Sequence, residues 1–443
     1  MSESVSHRTG EQSARPEGEQ ICIVGLGYVG MPLALAFDDK GFEVTGFDID
    51  PELVETLSNG NDPTGEAGHD RVAESDVSFT AQPDNIVRAD YVILTVPTPV
   101  DNTQNPNLDF VKGAARTVGE HVSEDTTIIL ESTVYPGVTE SELAPIIEEE
   151  SGLTAGEDFN LGYSPERLSP GDKGKTLEEV MKIVSGDTEE TLDDVATLYE
   201  TVVDAGVYRA PSIQTAEAAK VIENVQRDIN IALMNELAII CDHMDIDTHE
   251  VLDAAGTKWN FHDYRPGLVG GHCIPVDPLY LAHGSERAGY TPSLILQGRE
   301  VNEYMPKHAA ELTMRGLNEA GKVLKDSSVL ILGLSYKPNV GDIRTSEVDE
   351  VITELETYGI TVEGYDPHAQ NDAMAEHFGI PIQESPDFED FDAVFLATPH
   401  DEFDRFDLSK VAGALNDDPV LVDVMANVDE ETAAEAGFIY DHL

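Results

Sequence analysis

The chain has 443 residues, 40% of them apolar, and its 86 Asp and Glu against 26 Lys and Arg give a formal net charge of −60. That length suits two or three domains, and that apolar content supplies a sizeable core, which sets intrinsic disorder aside. The charge repels phosphate backbones and argues against nucleic acid as a partner, and no apolar run is long enough for a membrane span.

Self-repulsion on this scale destabilises a compact fold in dilute buffer and is screened at high ionic strength. The acids are spread along the chain and not gathered in a tail, which points to a halophile's salt-rich cytoplasm. No apolar signal-peptide core opens the sequence, so the expected location is cytoplasmic. Three cysteines, Cys22, Cys241 and Cys273, make neither a disulfide framework nor a C-x-x-C pair, and no metal site is expected.

In chain order, residues 1–19 are polar and read as a flexible tail. From Gln20 to about residue 210, short apolar runs alternate with helical patterns. "ICIVG", "FEVTGFD", "YVILTVP", "TTIILEST" and "FNLGYSPER" predict strands of a parallel, doubly wound sheet. A helix-period pattern then runs from Ile213 to Met244, with Ile222, Val225, Ile229, Leu233, Leu237 and Ile240 on one face. At about 1.5 Å per residue it spans roughly 45 Å, so it connects domains or packs on a second copy of the chain. After about residue 326 the alternation returns in "SVLILGLSY", "TVEGYDP", "DAVFLATP" and "PVLVDV". The expected fold class is α/β: two Rossmann-type doubly wound domains, 20–210 and 311–443, joined by a helical middle, 211–310.

The first strand runs into Gly25-x-Gly27-x-x-Gly30, with Tyr28 and Val29 before the third glycine, and Asp48 ends the next strand. Glycines alone are weak evidence, but strand, helix and acid complete a dinucleotide fingerprint. The first glycine permits a tight turn, the second admits a pyrophosphate, and the third lets helix and strand pack. Asp48 then accepts from the adenosine ribose and repels a 2′-phosphate, favouring NAD over NADP. The bland alternative is a structural turn with a solvent-facing Asp. Thr98 of "TVPTPVD" and Thr133 of "ESTVYPGVT" follow strand ends and are either cofactor contacts or ordinary turn residues.

Cys22 lies in an apolar strand and Cys241 at the end of an apolar helix pattern, so both read as buried and inert. Cys273 differs: in "RPGLVGGHCIPVDPLYL" it follows Gly270 and Gly271, which let the backbone turn tightly and a substrate come close. The competing reading is a small buried hydrophobe. On the long helix, "AEAAKVIENVQRDIN" sets Lys220 and Asn224 four residues apart on one face. The chain has only 12 lysines. Lys220 among apolar neighbours is either buried and tuned for proton transfer or snorkelling to solvent. In "GYSPERLSPGD", Glu166 and Arg167 sit in a Pro/Gly loop, as functional groups or as a plain ion pair.

Together these pieces resemble the UDP-glucose/GDP-mannose dehydrogenase family, from Gln20 to the C-terminus. "GLGYVGMPLA", "VPTP", "STVYPG", "SPERLSPG", "AEAAKVIEN", "GGHCIPVDP" and "GLSYKPNVGDIRTS" occur in the family's order. The resemblance implies two Rossmann-type domains around a long central helix that also forms a homodimer interface, with NAD on the N-terminal domain and UDP-sugar on the C-terminal one. It implies oxidation of a sugar C6 alcohol to a carboxylate with two NAD reduced. In that scheme Cys273 captures the aldehyde as a thiohemiacetal that becomes a thioester. Lys220 and Asp277, with a water, manage the alcohol proton, and Asn224 is a further donor. Glu166 acts at the thioester stage, and Thr133 positions water or cofactor. Arg344 and Lys337 lie near cofactor and substrate, with Arg167, Arg265 and Gly270 as further substrate contacts.

Where the glucose and mannose branches resemble "C-x-P-K-D", this chain has Val276, as in the branch acting on UDP-N-acetylhexosamines (UDP-GlcNAc, UDP-GalNAc or UDP-ManNAc). UDP-glucose 6-dehydrogenase is the runner-up. A β-hydroxyacid dehydrogenase and a non-catalytic nucleotide-sugar sensor are remoter readings.

Overall fold

The computed structural model describes residues 18–65, 67–168 and 176–443. All but the last two residues of the expected tail fall outside these, as do Ser169 to Asp172 of the "GYSPERLSPGD" loop. The chain divides into two compact units, one of residues up to 98 with 107–218, the other of 99–106 with 219–443.

The first unit runs β1 (Gln20–Val24), α1 (Gly30–Asp38), β2 (Glu43–Phe47), α2 (Pro51–Ser58), α3 (His69–Glu74), β3 (Ser78–Thr80), β4 (Tyr91–Leu94), α4 (Asp109–Gly119), β5 (Thr127–Leu130), α5 (Ala144–Ser151), β6 (Asn160–Tyr163), β7 (Lys182–Gly186), α6 (Glu189–Tyr199) and β8 (Val207–Arg209). Its eight strands take the order β3-β2-β1-β4-β5-β6-β7-β8. β4 and β5 are buried throughout, which is why they read as unbroken apolar runs. The chain order reverses at β1, between β2 and β4, and ligands bind off the carboxyl ends of strands at such a point.

The expected all-parallel sheet has one departure: β6 and β7 are antiparallel, pairing Gly162 with Gly186 and Tyr163 with Ser185. Among the described residues of their connection no α-helix supplies the crossover that a parallel return requires.

α7 (Ile213–Met244) begins in the first unit and continues into the second. Then come α8 (Thr248–Gly256), α9 (Asp277–Arg287), α10 (Ser293–Glu319), β9 (Ser328–Leu332), α11 (Val348–Thr357), β10 (Thr361–Tyr365), α12 (Asn371–Phe378), β11 (Ala393–Leu396), α13 (Leu408–Ala414), β12 (Val420–Asp423), α14 (Glu430–Ala436) and β13 (Ile439–His442). The five strands, all parallel, lie in the order β10-β9-β11-β12-β13. Val329 and Ile331 of β9 pack with Met305, Leu312, Val351 and Leu355, while Leu330 and Leu332 point to the other face with Val411 and Ala433.

The apolar face expected on α7 is not one buried face. Val225 is buried, but Ile222 and Leu233 are each 50% exposed and Ile240 43%. Its buried side mixes Val221, Ala232, Met234 and Ala238 with polar groups: Asp228 accepts from Arg299 and Asn302, and Asn235 bonds both the N–H and the carbonyl of Gly267. Asp228, Asn235, Arg299 and Asn302 each make at least one such bond, although Asp228 Oδ2 and Arg299 Nε make none, so burial follows hydrogen bonding as well as hydropathy.

Candidate active site

The glycine turn of the first unit gives each glycine a separate reason. Gly25 has φ +97°, a backbone that favours glycine, and its N–H donates to Phe47 O at 2.8 Å. A Cβ on Gly30 would lie 1.9 Å from Gly25 O, so helix and strand close only over glycine. A Cβ on Gly27 would meet nothing within 4 Å. Tyr28 is 40% exposed, and Val29 precedes α1 at its N-cap with no side chain capping the helix. The Oδ2 of Asp48 accepts the Leu26 N–H at 2.8 Å and its Oδ1 the Asp50 N–H at 2.9 Å, which pins the carboxylate beside the turn. Open space over Gly27, a helix start without a capping side chain and a fixed acid fit a dinucleotide: pyrophosphate on the N–H groups, ribose on Asp48. Thr98 lies beyond the end of β4 and Thr133 beyond β5, both half-buried at the carboxyl ends of the parallel strands.

Behind Thr133 is a group that the sequence reading missed. Glu131, 1% exposed, accepts from Lys182 Nζ at 2.8 Å and from the Tyr199 hydroxyl. Burial pushes the Glu131 carboxyl up from its usual range, and Lys182 opposes that push. Lys182 is itself 2% exposed, and its Nζ also lies 3.7 Å from Glu166 Oε2. The Oε1 of Glu166 accepts the N–H groups of Arg167 and Leu168, each at 2.6 Å. Arg167 turns to the Met181 carbonyl.

In the second unit, one helical turn of α7 carries Lys220 and Asn224 to a single carboxylate. Asn224 Nδ2 donates to Asp277 Oδ2 at 2.6 Å, and Lys220 Nζ lies 3.6 Å from that oxygen. Lys220 is 6% exposed and Asp277 2%, which settles the snorkelling alternative against solvent. Burial raises the Asp277 carboxyl, and Lys220 and Asn224 pull the other way. Asp277 opens α9, and its N–H donates to Cys273 O at 2.9 Å, so thiol and acid share one backbone turn. Cys273 is partly exposed, whereas Cys22 and Cys241 are buried as expected. Burial pushes the Cys22 thiol up to about 12.

The thiol segment sits on the loop after β9. Gly271 has φ +93°, as a tight turn requires, and its N–H donates to Thr345 O at 3.2 Å. Gly270 is small for a different reason than substrate approach: a Cβ there would lie 2.5 Å from Thr345 O. His272 Nε2 lies 3.3 Å from Asp342 Oδ2, and the same oxygen accepts Arg344 Nη2 at 2.8 Å. Burial works to raise the Asp342 carboxyl, but Arg344 and His272 together hold it well below the usual range. Lys337 Nζ is 6.0 Å from the Tyr336 ring centre. Arg265 is the outlier, bonded to Asp253 at 2.7 Å and Asp263 at 2.9 Å.

Within their units the structure therefore gathers Lys220, Asn224, Asp277 and Cys273, and separately Gly25, Gly27, Gly30 and Asp48. It joins Glu166 to Lys182. Lys182 was findable on the argument applied to Lys220, a rare lysine inside an apolar run, "VMKIVSG". Asp342 had no such local signal.

The chain is similar to known proteins over most of its length. Residues 19–203 match the NAD binding domain of the UDP-glucose/GDP-mannose dehydrogenase family, 214–304 its central domain and 330–430 its UDP binding domain. Protein CapL of Staphylococcus aureus is 46% identical over 383 residues, spanning 86% of this chain and 90% of CapL. The UDP-N-acetyl-D-glucosamine 6-dehydrogenase of Salmonella typhi is 42% identical over 407 residues, 91% of this chain and 95% of its own. The solved UDP-D-ManNAc dehydrogenase of Pyrococcus horikoshii superposes with TM-score 0.86 at 29% identity, covering 96% of this chain and 98% of that one. Fold, glycine turn and relatives define a nucleotide-sugar dehydrogenase that uses NAD. The chain belongs to the UDP-glucose/GDP-mannose dehydrogenase family.

Proposed function

We propose that this enzyme oxidises C6 of a UDP-N-acetylhexosamine to the uronate, removing four electrons in two stages. The observation that carries the reaction type is the backbone turn holding Cys273 and Asp277 together, with Asp277 bound by Lys220 and Asn224. Bound NAD supplies the hydride acceptor, one molecule for each of two hydrides. Lys220 and Asp277, through a water, take the C6 hydroxyl proton and steady the developing oxyanion, and Asn224 adds a donor. The Cys273 thiolate adds to the aldehyde carbon, and the thiohemiacetal goes on to a thioester. Water then attacks the thioester carbonyl, Glu166 takes its proton, the C–S bond breaks and the thiolate returns. Thr133 positions that water. Arg344, Lys337, Arg167 and Arg265 supply cations for diphosphate and sugar.

The substrate rests on relatives named for UDP-N-acetyl-D-glucosamine and UDP-N-acetyl-D-mannosamine, and on Val276 before Asp277. A panel of UDP-sugars read by NADH absorbance tests it, and preference for UDP-glucose would overturn it. Cys273→Ser is expected to permit the first oxidation and to cut uronate release on the order of 10³-fold or more; normal turnover would sink the covalent route. The exposed Ile222, Leu233 and Ile240 support pairing of two copies along α7. The charge of −60 supports a cytoplasmic enzyme adapted to salt, whose thermal midpoint should climb as KCl is raised.

A further inference from the structure

Glu166 does not stand alone at the end of β6. The β6–β7 ladder pairs Gly162 with Gly186 and Tyr163 with Ser185. Continued in the same antiparallel register, it sets Glu166 opposite Lys182, and the side chains do meet at 3.7 Å. From the other side β5 pairs Leu130 with Tyr163, which brings the next residue, Glu131, to Lys182 Nζ at 2.8 Å. Tyr199 closes the group, donating to Glu131 while its ring lies 5.2 Å from the ammonium.

A buried ion pair is weak evidence for stability, because desolvation cancels most of its attraction and apolar side chains of the same volume pack about as well. What apolar groups cannot supply is a fixed positive charge beneath Glu166. One oxygen of Glu166 is already fastened by two backbone N–H groups, and the other faces Lys182. Glu131, directly before the Ser132–Thr133 segment, balances the ammonium, so one cation braces both loop segments. We propose that Lys182, its charge balanced by Glu131, to which Tyr199 donates, is a positioning residue that fixes the orientation of the Glu166 carboxylate for opening the thioester. The inference rests on the reading that Glu166 takes the proton of the attacking water.

The test uses the full enzyme with NAD and a UDP-N-acetylhexosamine in single-turnover mode. It reads the NADH burst and, by intact-protein mass spectrometry, the adduct on Cys273. Lys182→Met alone leaves the Glu131 carboxyl buried with Tyr199 and without its cation, so the main variant is Glu131→Leu with Lys182→Met, which removes both charges. It should keep its thermal midpoint and the NADH burst, hold the substrate KM within about twofold, and slow adduct hydrolysis about tenfold or more. Lys182→Arg, which keeps the pair but moves the cation, should slow hydrolysis about threefold and covers the case in which the double variant does not fold. Wild-type hydrolysis in either folded variant would overturn the inference. Glu166→Gln separates the two levels: if it accumulates no adduct, the underlying reading of Glu166 fails, whatever Lys182 does.

Discussion

The two sheets begin alike and end differently. In the first unit Gly25 follows β1 with φ +97°, donates to Phe47 O, and leaves the next N–H, of Leu26, to Asp48. In the second, Gly333 follows β9 with φ +80°, donates to Tyr365 O, and leaves the Leu334 N–H to Asp366. Position for position, the turns are the same. Where the first has Gly27 with open space, the second has Ser335, whose hydroxyl donates to Asp366 at 2.8 Å. Asp366 also lies 3.0 Å from His400 Nε2 and is 3% exposed, whereas Asp48 is half-buried. No helix follows Gly333 until Val348, so no N-terminus is aimed at a pyrophosphate. One backbone device thus serves two ends. The first leaves open space over Gly27 and a half-buried acid, and the second fills that place with Ser335 and buries its acid.

The largest effect expected from this difference is at Gly30. Alanine there sets Cβ 1.9 Å from Gly25 O and 2.4 Å from Thr95 Oγ1. A backbone cannot yield that far, so Gly30→Ala should abolish NAD binding and cost at least about 3 kcal/mol in denaturant unfolding. NAD binding at wild-type affinity would mean that the turn is not the cofactor site.

Much of this was legible in the sequence. β1, β2, β4, β5 and the first four strands of the second sheet carry apolar β-branched residues, and β6 has Leu161 and Tyr163. Strands β3 and β8 were missed because three residues carry no period, and β7 because it opens with Lys182. Lys220, Asn224, Asp277 and Cys273 were found because helix spacing and a contiguous turn bring them together. Lys182 with Glu166, and His272 with Asp342, depend on strand register and on a contact across 70 residues, which no local pattern encodes. The exposed ridge of α7 has a related limit: periodicity reports that Ile222, Leu233 and Ile240 share a face, and not what covers it.

Asp366→Asn should cost about 2 kcal/mol, since it weakens the bonds that the Leu334 and Ser335 N–H groups, the Ser335 hydroxyl and His400 make to one buried carboxylate oxygen. Burial works to raise the Asp366 carboxyl, but His400 and backbone N–H groups hold it well below its ordinary range. A depressed folded value means stability that is present above the unfolded pKa of about 4 and lost as pH falls below it. Wild type and Asp366→Asn should therefore converge in stability below that pH, with NAD affinity unchanged throughout. If the variant loses NAD affinity instead, the second turn is not merely structural.

Gly27 and Ser335 reverse the expectation. Gly27→Ala meets no protein atom, so its thermal midpoint should hold while the Kd for NAD rises about tenfold or more. Ser335→Ala loses a hydrogen bond to a carboxylate, and should lose about 1.5 kcal/mol with the Kd for NAD unmoved. Equal behaviour of the two variants would erase the distinction between the turns.

The smallest and most specific effect is at Asp48. Its two oxygens already accept the N–H groups of Leu26 and Asp50, so asparagine turns one acceptor into a donor that faces an N–H and costs about 1 kcal/mol. The charge matters separately. A carboxylate repels the 2′-phosphate of NADP and accepts from the 2′-hydroxyl of NAD, so removing it should narrow the preference for NAD over NADP about tenfold, read as the ratio of kcat/KM values. Asp366→Asn, which alters the same position in the second turn, should leave that ratio untouched. A ratio unchanged in Asp48→Asn would mean that this carboxylate serves only its own turn, as Asp366 does.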